Sequence, residues 1–124
     1  MLNSFSQTIQ NGNYQTVGYI KEDGQVQNEN YQTIGYIKKD GHVQNQNYQT
    51  IGYIKADGSI QNQNYQTSGY IKKDGQVQNQ NYQIIGYIKE GSLQNQNYQT
   101  IGYFKNVSKT WAGAAAFFLF YKLN

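Results

Sequence analysis

The stretch Gln44–Ile60, QNQNYQTIGYIKADGSI, is repeated almost unchanged before and after itself, and its two short runs and two turns decide the fold. The run Gln49–Lys55 is rich in β-branched and aromatic residues, which favour a strand. It ends at Ala56-Asp57-Gly58, which reads as a type I turn whose Gly takes the left-handed position of a G1 bulge. A shorter run, Ser59-Ile60-Gln61, follows and leads into Asn62-Gln63-Asn64. There Asn is the residue expected to take the left-handed conformation that Gly supplies elsewhere. A helix is excluded because Gly and β-branched residues stand where good helix formers are needed. One copy therefore makes two antiparallel strands.

Six copies begin near Thr8, Gln25, His42, Ser59, Gln76 and Ser92. Tyr14, Tyr31, Tyr48, Tyr65 and Tyr82 recur every seventeen residues, and Tyr98 comes one residue early because IKEGSL replaces the longer IKKDGQV. The deletion tests the register. A three-residue loop sets Ile20 opposite Val26 and Ile37 opposite Val43, while the two-residue loop Glu90-Gly91 sets Ile88 opposite Leu93. The apolar pair survives the change of loop, so this pair and its five equivalents are expected to face the core. Alternation then sends Gly35 and Thr33 inward and Tyr36 and Ile34 outward. Tyr36 and Ile34 are apolar too, so alternation alone leaves the opposite facing open.

The chain of 124 residues is the size of one domain, with the repeats over residues 8–105 and a compositionally different tail over 110–123. It has no Cys, no Pro and no Arg. That excludes disulfides, thiol catalysis and thiolate metal sites, and removes the bidentate forks that grip phosphate or guanine. The net charge of +3 is spread along the chain instead of forming a basic stripe, so a nucleic-acid partner is not expected. The Gln and Asn content suits a disordered tract, but a disordered tract has no reason to keep an Ile-Gly-Tyr-Ile frame. The first residues, MLNSFSQTIQ, lack the basic and apolar regions of a signal peptide. A cytoplasmic location and an AT-rich bacterial source are the expectations.

The tail separates an open stack of strands from a closed ring. WAGAAAFFLFY, from Trp111 to Tyr121, is apolar throughout and lies between Lys109 and Lys122. It is too short for a bilayer span, which needs roughly twenty residues, and suits a buried helix. A helix over residues 110–123 would be ~21 Å long and, being apolar all round, must be surrounded. Twelve strands tilted by ~40° close into a wall of radius about 12 Å, which leaves one side-chain layer around such a helix. Ala112–Ala116 would mark a narrower end than Phe117–Tyr121. The expected fold is mainly β: a closed, shallow antiparallel barrel of about twelve short strands around a hydrophobic C-terminal helix.

Six GYI-K or GYF-K units, four of them running on into x-DG, followed by an apolar C-terminal helix resemble the β-flower families, shallow symmetric barrels with a helix through the middle. Their relatives include the tubby C-terminal domain and the phospholipid scramblases, with twelve strands around a helix. The resemblance covers Thr8 to Leu123 and implies architecture more than activity. Tubby domains bind phosphoinositides, but their basic site has no residue-by-residue match here, so no site is carried over.

Two rims are candidate sites. Lys21, Lys38, Lys55, Lys72, Lys89 and Lys105 follow the same strand position in every copy and would ring one end. They suit anionic lipid head groups, or simply solubilise a rim partly neutralised by Asp23, Asp40, Asp57 and Asp74. At the other end stand Asn30, Tyr31, Asn47, Tyr48, Asn64, Tyr65, Asn81, Tyr82, Asn97 and Tyr98. Tyr faces stack on sugar rings and amides bond hydroxyls, so a multivalent lectin is a second expectation, although turns use Asn regardless. The Tyr36 series, if outward, offers a third: a structural subunit that associates weakly through this surface. His42 occurs in one copy only and reads as a turn residue. The acids match neither an EF-hand nor a calcium β-roll, and none is paired with a nucleophile. No enzyme activity and no cofactor are expected; the expectation is a binding or adaptor domain, contacting lipid head groups or glycans and peripheral to the membrane if lipid is its ligand.

Overall fold

A computed structural model describes residues 7–120. Twelve strands follow one another: β1 (Gln7–Asn11), β2 (Thr16–Ile20), β3 (Gln25–Asn28), β4 (Thr33–Ile37), β5 (His42–Asn45), β6 (Thr50–Ile54), β7 (Ser59–Asn62), β8 (Thr67–Ile71), β9 (Gln76–Asn79), β10 (Ile84–Lys89), β11 (Ser92–Asn95) and β12 (Thr100–Lys105). Each pairs antiparallel with its neighbours, and β1 pairs with β12 to close the barrel. Closure leaves no strand edge open to another chain.

The register expected from the deletion is the one observed. Ile20 faces Val26, Ile37 faces Val43 and Ile88 faces Leu93. Ile54–Ile60 and Ile71–Val77 repeat the pairing, and Ile9–Phe104 completes it across the seam. All twelve side chains are buried. Glu90 and Gly91 both take positive φ, 47° and 86°, so the shortened loop turns in the mirror-image sense that joins strands with two residues.

Strict alternation fails at one place in each copy. Gly35 faces Val26, but Thr33 faces Gln27, so a bulge at Ile34 absorbs a residue. Thr33 Oγ1 accepts a hydrogen bond from Gln25 Nε2 at 2.7 Å on the Tyr36 side of the sheet, and Ile34 packs against the core. Gly35 is inward as expected; Thr33 and Ile34 exchange the faces expected of them.

The tail occupies the barrel axis. Ser108 caps a short helix, α1 (Lys109–Ala114), its Oγ accepting the Trp111 N–H at 3.2 Å. The chain then widens into a π-helical segment, Ala115–Phe120. The expected helix continued to Leu123; Tyr121–Leu123 lie outside the described residues, as does the N-terminal Met1–Ser6. Volumes match in two tiers. Ala112, Ala114, Ala115 and Ala116 are buried in the same cluster as the ring of Ile, Val, Leu and Phe104, where even a methyl group on Gly113 would run into Ile71. The large side chains lie at the glycine tier: Phe117 over Gly69, Phe118 over Gly52, Leu119 over Gly35 and Phe120 over Gly18. Consecutive residues thus meet consecutive repeats. Six repeats stand at steps of about 60°, while an α-helix turns by about 100° per residue and a π-helix by roughly 80°. Underwinding brings the helix closer to the step of its wall.

Candidate functional site

The two rims use one turn geometry with different residues. At the end where α1 begins, Gly41 N–H donates to Lys38 O at 3.0 Å and Lys38 N–H to His42 O at 2.8 Å. Gly41 holds φ +98°. At the opposite end, Tyr48 N–H donates to Asn45 O at 3.1 Å and Asn45 N–H to Gln49 O at 2.9 Å. The left-handed residue there is Tyr48, with φ +66°, and its counterparts Tyr14, Tyr31, Tyr65, Tyr82 and Tyr98 hold the same conformation. This corrects the expectation that Asn would take that place. Asn45 instead clamps the turn from its side chain: its Oδ1 accepts from Asn47 N–H at 2.9 Å and Gln49 N–H at 3.1 Å, and its Nδ2 donates to Gln49 Oε1 at 2.9 Å.

The Lys-x-Asp-Gly loops number five, counting the shortened one, because the chain leaves β12 at Lys105 for the helix; the six hairpins are those closed by the Asn-x-Asn-Tyr turns. Asp23, Asp40, Asp57 and Asp74 each accept the N–H of the residue two further on, at 2.9–3.1 Å. These backbone bonds hold the Asp40 and Asp57 carboxyls below their ordinary range, with the His42 ring and the Ser59 hydroxyl adding to the effect. Among the described residues no lysine lies within ion-pair distance of an acid, and the His42 ring Nδ1 is hydrogen-bonded to Asp40 Oδ1 at 2.9 Å. The aspartates therefore fold the loops and form no direct pair with the lysines.

One cavity gathers part of the lysine rim. A cavity of about 530 Å³ opens between the second, third and fourth loops and the start of α1. Lys38, Lys55 and Lys72 line it, joined by Lys39, Lys73 and Lys109, with Asp40, Asp57 and the half-buried Trp111. Lys109 Nζ donates to Lys73 O at 2.6 Å and ties the helix to the fourth loop. Lys21, Lys89 and Lys105 are exposed but do not line it, and Lys89 lies over the Tyr87 ring at 5.6 Å. Sequence reasoning missed Lys39, Lys73 and Lys109. A signal existed: the second and fourth loops read Lys-Lys-Asp-Gly, whereas the first and fifth carry Glu22 and Glu90 at the next position. His42 sits edge-on to Tyr53 and outside this cavity.

On the outer wall each turn Tyr folds back onto a strand Tyr. Tyr36 and Tyr48 stack with centroids 4.7 Å apart and hydroxyls 3.0 Å apart. Tyr19–Tyr31, Tyr53–Tyr65, Tyr70–Tyr82, Tyr87–Tyr98 and Tyr103–Tyr14 repeat the stack. The hydrogen bond to the partner raises the strand phenol above its ordinary value in all six. The outward surface expected of the Tyr36 series is thus largely covered by turn tyrosines, whose own exposure is 63–67%. Beside them the amides of Asn30, Asn47, Asn64, Asn81 and Asn97 make no hydrogen bond within the described residues.

A family model described as "5-fold beta-flower protein" matches residues 6–122. The chain belongs to the 5-fold β-flower family. Neither a curated protein nor a solved structure matches it. In this β-flower, then, the described residues present two candidate surfaces: a lysine-lined cavity around the start of the helix, and an amide and tyrosine rim opposite whose one charge is Glu29.

Proposed function

We propose that this β-flower is a non-enzymatic, membrane-peripheral binding domain that holds anionic phospholipid head groups at its lysine rim. One observation carries the reading: six lysines and the half-buried Trp111 converge on one cavity, and the aspartates of its loops are engaged by backbone N–H groups. Lysines near an anionic leaflet contribute about 1 kcal/mol each, so the cluster supplies enough attraction for reversible attachment. Trp is the side chain that settles at the head-group level. No helix among the described residues is long and apolar enough to cross a bilayer. The resemblance read from the sequence to tubby C-terminal domains and scramblases, twelve strands around a helix, agrees with a membrane role but transfers no residue. Anionic lipid is enriched on the cytoplasmic leaflet, where this reading places the protein.

Co-sedimentation with vesicles of phosphatidylcholine, with and without about a third phosphatidylserine, tests the reading. Binding should require the anionic lipid and weaken as salt rises, and the single Trp should shift its fluorescence on binding. Lys39→Glu with Lys73→Glu should abolish it, whereas Lys89→Glu, outside the cavity, should leave it nearly intact. Equal binding to neutral vesicles, or equal loss from both variants, would reject the site.

A further inference from the structure

The two rims solve one turn problem in two ways, and only one solution is economical. Gly41, Gly58 and Gly75 hold the left-handed position at the lysine rim at no steric cost. Six tyrosines hold it at the other rim, each with strain of about 1 kcal/mol or more. Stacking on the strand Tyr returns about 0.5–1.5 kcal/mol and the hydroxyl–hydroxyl hydrogen bond a similar amount, which offsets the strain from the inner side of the ring only. Yet Tyr stands there in all six copies, while other exposed turn positions drift: Gly12, Glu29 and Gln46 occupy the place before the Asn, and at the opposite rim Glu22, Lys39, Ala56 and Lys73 occupy one loop position. The Asn before each Tyr is kept too, although its exposed amide bonds nothing within the described residues. Those contacts leave the outer face of each Tyr and the amide of the adjacent Asn without a partner within the described residues. A ligand can meet both.

We infer that the Asn-Tyr rim is a six-fold binding site for neutral carbohydrate. Each turn offers the outer face of a tyrosine already stacked from behind, on which the C–H face of a pyranose can lie. The adjacent amide supplies one donor and one acceptor edge for its hydroxyls. Stacking on the strand Tyr fixes the ring before ligand arrives, which lowers the cost of ordering it. Charge selects the class: Glu29 is the one charged residue in the six five-residue turns, so an acidic polymer finds no counter-charge there. One such contact is weak, and six on a rigid ring suit a repeating polysaccharide, for which avidity multiplies affinity by about 10²–10⁴.

The test uses the intact chain on immobilised cello-, malto-, chito- and manno-oligosaccharides, with heparin and hyaluronan as acidic counterparts. Retention on at least one neutral series is expected, insensitive to salt and displaced by the soluble oligosaccharide. Tyr31→Gly, Tyr65→Gly and Tyr98→Gly together keep the left-handed turns and should lower apparent affinity about tenfold or more, leaving vesicle binding unchanged. Asn47→Ala, Asn64→Ala and Asn81→Ala remove only unbonded amides and serve as the second variant. Retention on no neutral saccharide overturns the inference. So does wild-type binding by either triple variant, or glycan binding lost in Lys39→Glu/Lys73→Glu, which would move it to the lysine cavity.

Discussion

Replacing Phe117 by Ala probes whether the helix and its wall are one packed unit. Phe117 is 1% exposed, lies over Gly69 on β8 and meets the Phe118 ring edge-on at 5.5 Å. A methyl group on Gly69 would already stand 3.0 Å from the ring, so the contact is close. Its wall cannot fall inward to fill the space, because every strand is hydrogen-bonded on both sides in a closed ring. The cost is therefore the full one for a core Phe, about 3–5 kcal/mol. A chain of this length has a total stability of roughly 6–19 kcal/mol. At about 3–5 °C per kcal/mol the thermal midpoint should fall by roughly 10–25 °C. Circular dichroism melting reads the shift, and urea titration should show a lower midpoint with an unchanged slope. Phe118→Ala, in a more exposed position, should cost less, about 1–3 kcal/mol. A fall of under about 4 °C for Phe117→Ala, at the scale above, would mean that the ring is not enclosed and the axial helix is wrong.

Removing residues 111–124 takes out the axial filling altogether, and the strand spectrum should collapse; a soluble chain with an unchanged spectrum would refute the plugged barrel. Gly41→Ala places a methyl group against the Ile54 carbonyl at φ +98° and should cost about 1–3 kcal/mol, read by thermal denaturation. Asn45→Ala loses three hydrogen bonds of its turn and should cost about 1–2 kcal/mol, whereas Asn45→Asp keeps both acceptor bonds and should cost less. The strand phenols are raised, so their contribution is whole below the ordinary tyrosine pKa of about 10 and is lost as pH rises through the folded value. Asp40 and Asp57 are lowered, so theirs is present above the ordinary carboxylate pKa of about 4 and fades as pH falls through the folded value. Melting temperature should be level between these limits and decline on both sides; a maximum in the alkaline range would contradict the Tyr–Tyr bonds.

The strand register was legible because a deletion had already done the experiment: Ile88 and Leu93 stay opposed although the loop between them is shorter. The apolar tail placed itself inside the barrel for want of any other dry surface. What escaped reading depends on backbone detail that residue types do not announce. The bulge at Ile34 lies in the backbone register, which the pattern of apolar residues does not mark. The left-handed Tyr48 ran against propensity, which favours Asn. The lysine cavity was half legible, since Lys38, Lys55 and Lys72 belong to the repeat. Lys39, Lys73 and Lys109 do not, and a search for regularity passes over residues that break it.

The contact of one helix residue with one repeat also bears on how such a gene can change. Tandem units this alike invite unequal exchange, which adds or removes a whole hairpin without harming any strand pair. A seventh hairpin would widen the ring from a radius of about 12 Å to about 14 Å, and the same helix would leave a void along its length. The tail is thus a gauge for copy number: it tolerates substitution within a unit but is left with unfilled space around it when a unit is added.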